Sequence, residues 1–406
     1  MYIGRRELIK TVFASACLRT FGATAFGAAT TPVEVYGQRA QRLVAQHRRN
    51  VGRLKAPAEL VTEELFAGRG LKLSGPDKGW ISEGLGRAGG LMVTGQLSPT
   101  ATANPGDVVW LSYGARTYDA QVKRAAELES QKCMVLAFGP RPASGVPKFQ
   151  HWIDSLTPWN ADQNFALLGN LLSLWTLTGE VAAASARRGK TLVFWQSIWM
   201  STLHPEMKGR NERYRGHTFH APGEPQMKPV PAGVAAEAYL DAIKKMLNEI
   251  QTQELDKIVT VGKEVGRRSA SRPVPISIMS HMMHDELRDE GKLFKDYKGD
   301  NDHLPEALGS DGYLVYLGYY DGVSTGMWDA VRKANAKAVW IIVPVPGQTL
   351  NYQQYGDVVI NQHYEEGDAA VKMPGYDVQI LPPSGVAQLF IYELMMRAAG
   401  GSSRVA

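Results

Sequence analysis

Three features of this 406-residue chain carry side chains of types and spacings that can do chemistry. Glu83 stands four residues before Arg87, one helical turn away. A carboxylate there can serve as a base, or can simply be neutralised by the i, i+4 ion pair. Ser280-His281-Met282-Met283-His284-Asp285-Glu286 sets two imidazoles three residues apart with Glu286 beside them. On a helix His281 and His284 would share a face, and His and Glu are the side chains that move protons near neutral pH. The same three could ligate a metal, but that spacing is common by chance, and no metal or other cofactor is expected. Asp285, Arg288 and Asp289 equally suit a solvated turn. The third feature is a loop that leaves an apolar strand and opens an amphipathic helix, and it occurs twice. One copy offers Ser112, Gly114, Arg116 and Thr117, the other Asp321, Gly322, Ser324 and Thr325. Such a turn aims backbone N–H groups at the positive end of a helix, which is an anion site. Asp321 would repel an anion at the second loop and leaves it to an uncharged ligand. Thr117 and Ser324 also serve as ordinary amino caps.

The elements that must position these groups are written twice. GDVVWLSYGARTYDAQVKRAAELESQKCMVLAFGP from Gly106 and SDGYLVYLGYYDGVSTGMWDAVRKANAKAVWIIVP from Ser310 share one order: polar start, apolar strand, loop, amphipathic helix, apolar strand. A repeat of this kind decides the architecture before any local reading does. Strand and helix signals alternate on both sides of it. Residues 36–68, 164–188, 235–249, 255–268 and 384–399 read as helices. Residues 70–75, 108–112, 133–138, 191–196, 275–279, 313–317, 338–343 and 357–361 read as strands. The expectation is an α/β protein of two domains, residues 36–199 and 233–400, each with a mostly parallel sheet covered on both faces. Residues 200–232 have no hydrophobic period and read as a linker. The linker holds His204, His217, His220, Arg210, Arg213 and Arg215; it either folds over a cleft or stays solvated. Trp195, Trp199, Tyr313, Tyr316, Tyr319, Tyr320 and Trp328 fall at or near strand ends, where α/β sheets bind ligands and aromatic faces suit sugar C–H surfaces. Plain packing is the competing role for all of them.

The formal charge is +5, and the first 30 residues carry four basic side chains against one acidic one. With no Lys/Arg run elsewhere, nucleic acid is not an expected partner. Arg5-Arg6-Glu7-Leu8-Ile9-Lys10, followed by apolar and small residues to Ala29, is similar to a twin-arginine export leader. It implies residues 1–30 as a signal peptide and a periplasmic or extracellular protein, or a cytoplasmic one if the leader does not function. No membrane span is expected in the mature chain. Removal of the leader takes Cys17 and leaves Cys133 alone, so no intrachain disulfide could form.

Several segments together resemble the sugar isomerase (SIS) domain family, in tandem, at low stringency over most of residues 36–400. Glu83 and Arg87-Ala88-Gly89-Gly90 look like its glutamate-bearing helix and R-x-G-G turn. Gly106-Asp107-Val108 with Ser112-Tyr113-Gly114 is similar to its phosphosugar loop, though Tyr113-Gly114-Ala115 lacks the second serine. His281 to Glu286 is similar to its histidine-rich turn, and Glu366-Gly367-Asp368-Ala369 with Pro383-Ser384-Gly385 to its closing segment, where a serine starts a helix. The resemblance implies two three-layer αβα sandwiches with mainly parallel five-stranded sheets. It implies a sugar or phosphosugar ligand at an inter-domain cleft. Glu83, His284 and Glu286 would be the acid–base groups of an aldose–ketose isomerase. Ser112, Gly114, Arg116, Thr117, His281, Ser324, Thr325 and Ser384 would bind the substrate. SIS-type domains commonly pair, so a homodimer is one expectation, and a tandem repeat can reproduce that pairing within one chain. The alternative is an exported carbohydrate-binding or sensing protein without catalysis. A base and an acid converging on one pocket would separate the two.

Overall fold

The computed structural model describes residues 31–200, 204–279, 293–297, 304–308, 312–320, 325–345, 352, 355–365 and 367–400. Its first half begins with two helices, α1 (Pro32–Arg49) and α2 (Lys55–Phe66). Thr31 and Glu34 close a reciprocal capping box at the start of α1. The break between the helices is a 3-10 turn at Val51–Leu54, so Pro57 falls in the first turn of α2, where proline costs nothing. There follow β1 (Leu71–Ser74), α3 (Lys78–Glu83), β2 (Thr94–Gln96), β3 (Val108–Ser112), α4 (Tyr118–Ser130), β4 (Met134–Gly139), β5 (His151–Asp154) and α5 (Gln163–Arg187). The second half repeats the plan: α6 (Val234–Glu249), α7 (Leu255–Ser269), β6 (Val274–Ile278), β7 (Phe294–Asp296), β8 (Tyr313–Tyr320), α8 (Thr325–Lys333), β9 (Lys337–Val343), β10 (Val358–Asn361) and α9 (Ser384–Ala398). A two-stranded hairpin, β11 (Val371–Lys372) with β12 (Gln379–Ile380), precedes α9.

The two large sheets are parallel, with orders β2-β1-β3-β4-β5 and β7-β6-β8-β9-β10. Numbered within its own half, each reads 2-1-3-4-5. The duplicated sequence supplies the third strand, outer helix and fourth strand of both. Edge strands β2 and β7 have three residues each and no apolar run, which is why no sequence period marks them. Residues 191–196, expected as a strand, make only isolated bridges, Leu91 with Phe194 and Leu192 with Phe219.

Alternate strand residues feed different cores, as the pleat requires. Val109, Leu111, Val135 and Ala137 pack under α4, and Leu314, Tyr316, Trp340 and Ile342 pack under α8. Val108, Trp110, Leu136, Phe138, Val315, Leu317, Val339 and Ile341 face inward to one core shared by both halves. That core is filled by α1, α5, α6 and α9, with α5 packed on α6 and α9 packed on α1. Helix α5 is apolar all round and 94% of its most apolar window is buried, so its hydropathy is that of a core helix. From α5 the buried Glu180 carboxylate accepts from the N–H groups of Gly233 (2.7 Å) and Ala236 (3.1 Å). It caps α6 from another element and pins the halves together.

Candidate functional site

Glu83 ends α3, and the chain then turns through Gly86 and Gly89. Gly89 has φ +72, and a Cβ there would stand 2.8 Å from the Leu381 nitrogen, so glycine is required as the turn threads between residues 192–196 and 380–381. This turn delivers Arg87 into the second half. Its side chain is 3% exposed. It donates through Nη2 to Asp368 Oδ2 (2.7 Å) and to Ser384 Oγ, and through Nη1 to Tyr319 Oη (2.8 Å). Its Nε lies 3.4 Å from Glu83 Oε2. Asp368 in turn accepts from the Ser384 hydroxyl (2.9 Å) and backbone N–H (3.2 Å) at the start of α9. Ser384 thus serves this buried network as well as starting its helix. Gly385 lies so close to Glu83 that a Cβ there would come within van der Waals overlap of its carboxylate.

The electrostatics are those of two buried carboxylates around one guanidinium. Burial raises Glu83 to about 7, with Arg87 opposing and the Asp368 charge adding to the rise. Burial likewise raises Asp368 against the pull of Arg87. Arg87 stays cationic, because Asp368 and Glu83 outweigh its desolvation.

Beside this network opens a cavity of about 620 Å³. Tyr319 and Tyr320 enter it from the end of β8 and Met279 from just beyond β6. Those neighbouring strands are where the order of the second sheet reverses, the point at which open α/β sheets bind ligands. Arg87 and Asp368 form one wall, and residues 195–199 another. The rings of Trp199 and Tyr320 are parallel, 6.0 Å apart at 10°. Residues 209–215 complete the lining with Asn211, Glu212 and Arg215. This stretch of the expected linker is anchored by buried Arg210 and Tyr214, while Glu212, Arg213 and Arg215 stay exposed. Buried Arg210 clamps it through two bonds to Asp377 (2.7 and 2.9 Å) and one each to Phe194 O (2.7 Å) and Tyr376 Oη (3.1 Å). Asn211 and Gln196 exchange side chain–backbone bonds of 2.9 Å in both directions. The two cations of the lining are both matched: Arg87 by Asp368, and Arg215 by Glu212 at 2.6 Å. The cavity is therefore aromatic and polar but electrically balanced.

The other expected site residues are placed as follows. Glu83 adjoins the cavity wall but is sealed from solvent and is not part of the lining. Ser112 is fully buried at the end of β3 beside Asp77, whose carboxyl burial raises to about 6 against the opposing pull of the Ser112 and Asn170 side chains. Gly114 donates its N–H to Thr117 Oγ1 (3.0 Å), so Thr117 closes the turn as a cap, while Arg116 is exposed. None of these four lines the cavity. Thr325 begins α8. His281, His284, Glu286 and Ser324 lie outside the described residues. Among the described residues no group of three or more His, Cys, Asp or Glu side chains is placed to hold a metal. Of the aromatics singled out in the sequence, Trp195, Trp199, Tyr319 and Tyr320 line the cavity, whereas Tyr313 and Tyr316 pack in the two cores. Gln196, Ser197, Asn211 and Glu212 went unread, since nothing local in the sequence marks a residue that meets its neighbours only through the fold.

No protein-family model matches the chain, and no curated protein matches it. Among solved structures, the C-terminal domain of glucosamine-fructose-6-phosphate aminotransferase from Francisella tularensis superposes with a TM-score of 0.54 at 10% identity, covering 93% of this chain and 98% of that one. A protein assigned as a phosphosugar isomerase from Silicibacter pomeroyi DSS-3 gives 0.49 at 10% identity, over 89% and 98%. One assigned as a sugar-binding protein from Salmonella typhimurium LT2 gives 0.47 at 10% identity, over 90% and 99%. The chain thus has the fold expected of it, two SIS-like three-layer sandwiches on parallel five-stranded sheets, and shares that fold with the aminotransferase domain.

Proposed function

We propose that the chain belongs to the SIS family and binds an uncharged sugar or sugar derivative in the 620 Å³ cavity between its halves. The observation that carries this is the lining itself. Trp195, Trp199, Tyr319 and Tyr320 offer faces for sugar C–H surfaces, and Gln196, Ser197 and Asn211 offer amide and hydroxyl groups for its hydroxyls. The internal pairing of Arg87 and Arg215 speaks against a phosphate in this cavity, because an anion would have to compete with Asp368 and Glu212. The shared fold of an aminotransferase domain that acts in glucosamine-fructose-6-phosphate chemistry supports a sugar ligand. Export through the Arg5-Arg6 leader would fit an unphosphorylated one.

The binding reading is tested by thermal shift and tryptophan fluorescence on the chain from about Thr31, against neutral sugars, amino sugars and their 6-phosphates. A ligand at a hundredfold its Kd stabilises by about 2.7 kcal/mol, or about 3 °C for a chain of this size melting as one unit. Trp199→Ala is expected to weaken that ligand about five- to thirtyfold, by loss of a ring worth about 1–2 kcal/mol. Response to phosphosugars alone, or none to any sugar, would sink the reading.

A second reading has one observation in its favour. Glu83, titrating near 7 beside the cavity wall, has the affinity of a proton-transfer group in an aldose–ketose isomerase. Its seal behind Arg87 and Gly385 favours the binding role. Solvent deuterium appearing at the carbon next to the carbonyl of a bound sugar would decide for catalysis.

A further inference from the structure

A second cleft, of about 450 Å³, opens beyond the carboxyl ends of β4 and β5 on the far edge of the first sheet. Arg39 and Arg42 reach it from α1, and Arg141 from the loop after β4. Asp154 is the single carboxylate in the lining; Gln46 and Thr157 add polar groups and Phe165 an aromatic floor.

Arg39 and Arg141 rest on aromatic rings, and among the described residues none of the three guanidiniums has a carboxylate within hydrogen-bond distance. Arg39 lies over the Phe165 ring, 4.2 Å from its centroid, and its nearest acidic oxygen is Asp162 Oδ2 at 3.8 Å. Arg141 lies 5.4 Å from the Trp152 ring centroid and 3.7 Å from Asp154 Oδ2. Both separations exceed hydrogen-bond length. Arg42 has no carboxylate within ion-pair distance among the described residues, and it is exposed. Nor can the acids move to meet them freely. Asp154 Oδ1 is committed to the N–H of Leu156 (2.8 Å), whose φ of +58 needs that support. Asp162 Oδ1 caps α5 through the N–H of Phe165 (2.9 Å), and its Oδ2 already faces Arg397 at 3.5 Å. Buried Arg53, from the turn after α1, adds to the positive field around Asp154. Like charges gathered around one small opening repel each other, and a bound anion relieves that repulsion. Arginine forks match phosphate oxygens two at a time.

We propose that this cleft is a binding site for a compact polyanion of the phosphate class, separate from the sugar cavity. The separation follows from the charges: in the balanced cavity each guanidinium has a carboxylate at hydrogen-bond distance, whereas this cleft sets three guanidiniums around one carboxylate, two of them in loose pairs of 3.7 and 3.8 Å and Arg42 in none among the described residues.

Calorimetric titration with pyrophosphate, at constant ionic strength set by KCl, tests it. Saturable one-to-one binding is expected, falling as salt rises. The double variant Arg42→Ala, Arg141→Ala should weaken it at least tenfold. Both side chains are exposed, so an unchanged melting temperature without anion would show that the fold is kept. Lys at the same two positions should restore binding only in part, since it lacks the planar fork. Absence of saturable binding, or full affinity in the alanine double variant, would overturn the proposal. Citrate binding more tightly than pyrophosphate would overturn the phosphate assignment. Neutral-sugar affinity at the cavity is a separate readout and should not change in the double variant.

Discussion

Replacing Glu83 by Gln tests the buried network most directly, because the two side chains differ in little but the titrating proton. With the folded group at about 7 and the ordinary value at 4.5, the folded state holds a proton that the unfolded chain has released across that window. Its contribution to stability is therefore complete below about pH 4.5 and is lost as pH rises through about 7. The gap of about 2.5 units corresponds to about 3 kcal/mol at 1.36 kcal/mol per unit. Because Glu83 is fully buried, no allowance for solvent screening is needed. The Gln variant does not pay this, since it keeps the neutral shape at every pH. Urea denaturation of both proteins at about pH 4.5 and pH 8 gives the double difference, in which Asp368 and the other acids cancel to first order. Glu83→Gln should gain about 3 kcal/mol on the parent between the two conditions. A gain under about 1 kcal/mol would mean that Glu83 is solvated or fully neutralised by Arg87. The network described here would then be wrong.

Two further outcomes are expected. Arg210→Met should cost about 2–4 kcal/mol in chemical denaturation, less than a fully buried pair because Asp377 is 31% exposed. It should also lower sugar affinity, since residues 209–215 lose their anchor to the cavity; unchanged affinity would show that this segment does not shape the site. Changing Arg5 and Arg6 together to Lys should leave the chain in the cytoplasm of a bacterial host with a twin-arginine route, measured by cell fractionation. Export that survives the change would remove the leader reading.

The sequence by itself determined everything that rests on local period. Unbroken apolar runs in 108–111, 134–138 and 338–343 marked strands buried on both faces of a parallel sheet. The repeat marked two like units, and the structure puts both copies at the same two positions of their sheets. The apolar run read as a helix over 164–188 is α5, Gln163–Arg187, and it is apolar on every turn because every turn of it is buried. Strands β2 and β7 were not legible, since a three-residue edge strand is held by backbone bonds to its neighbour and needs no side-chain pattern. The Glu83–Arg87 spacing was legible as an ion pair, but its partners were not. Asp368 and Ser384 stand 281 and 297 residues from Arg87, and only the packing of α9 and the turn at Gly89 brings them within hydrogen-bond reach. The same holds for the cavity: aromatic residue types pointed to sugar chemistry, yet whether Tyr316 or Tyr319 faces the opening depends on which side of β8 the pleat presents to α8. Tertiary structure alone decided which polar groups are desolvated together, and desolvation is what turns an ordinary glutamate into one that titrates near neutrality.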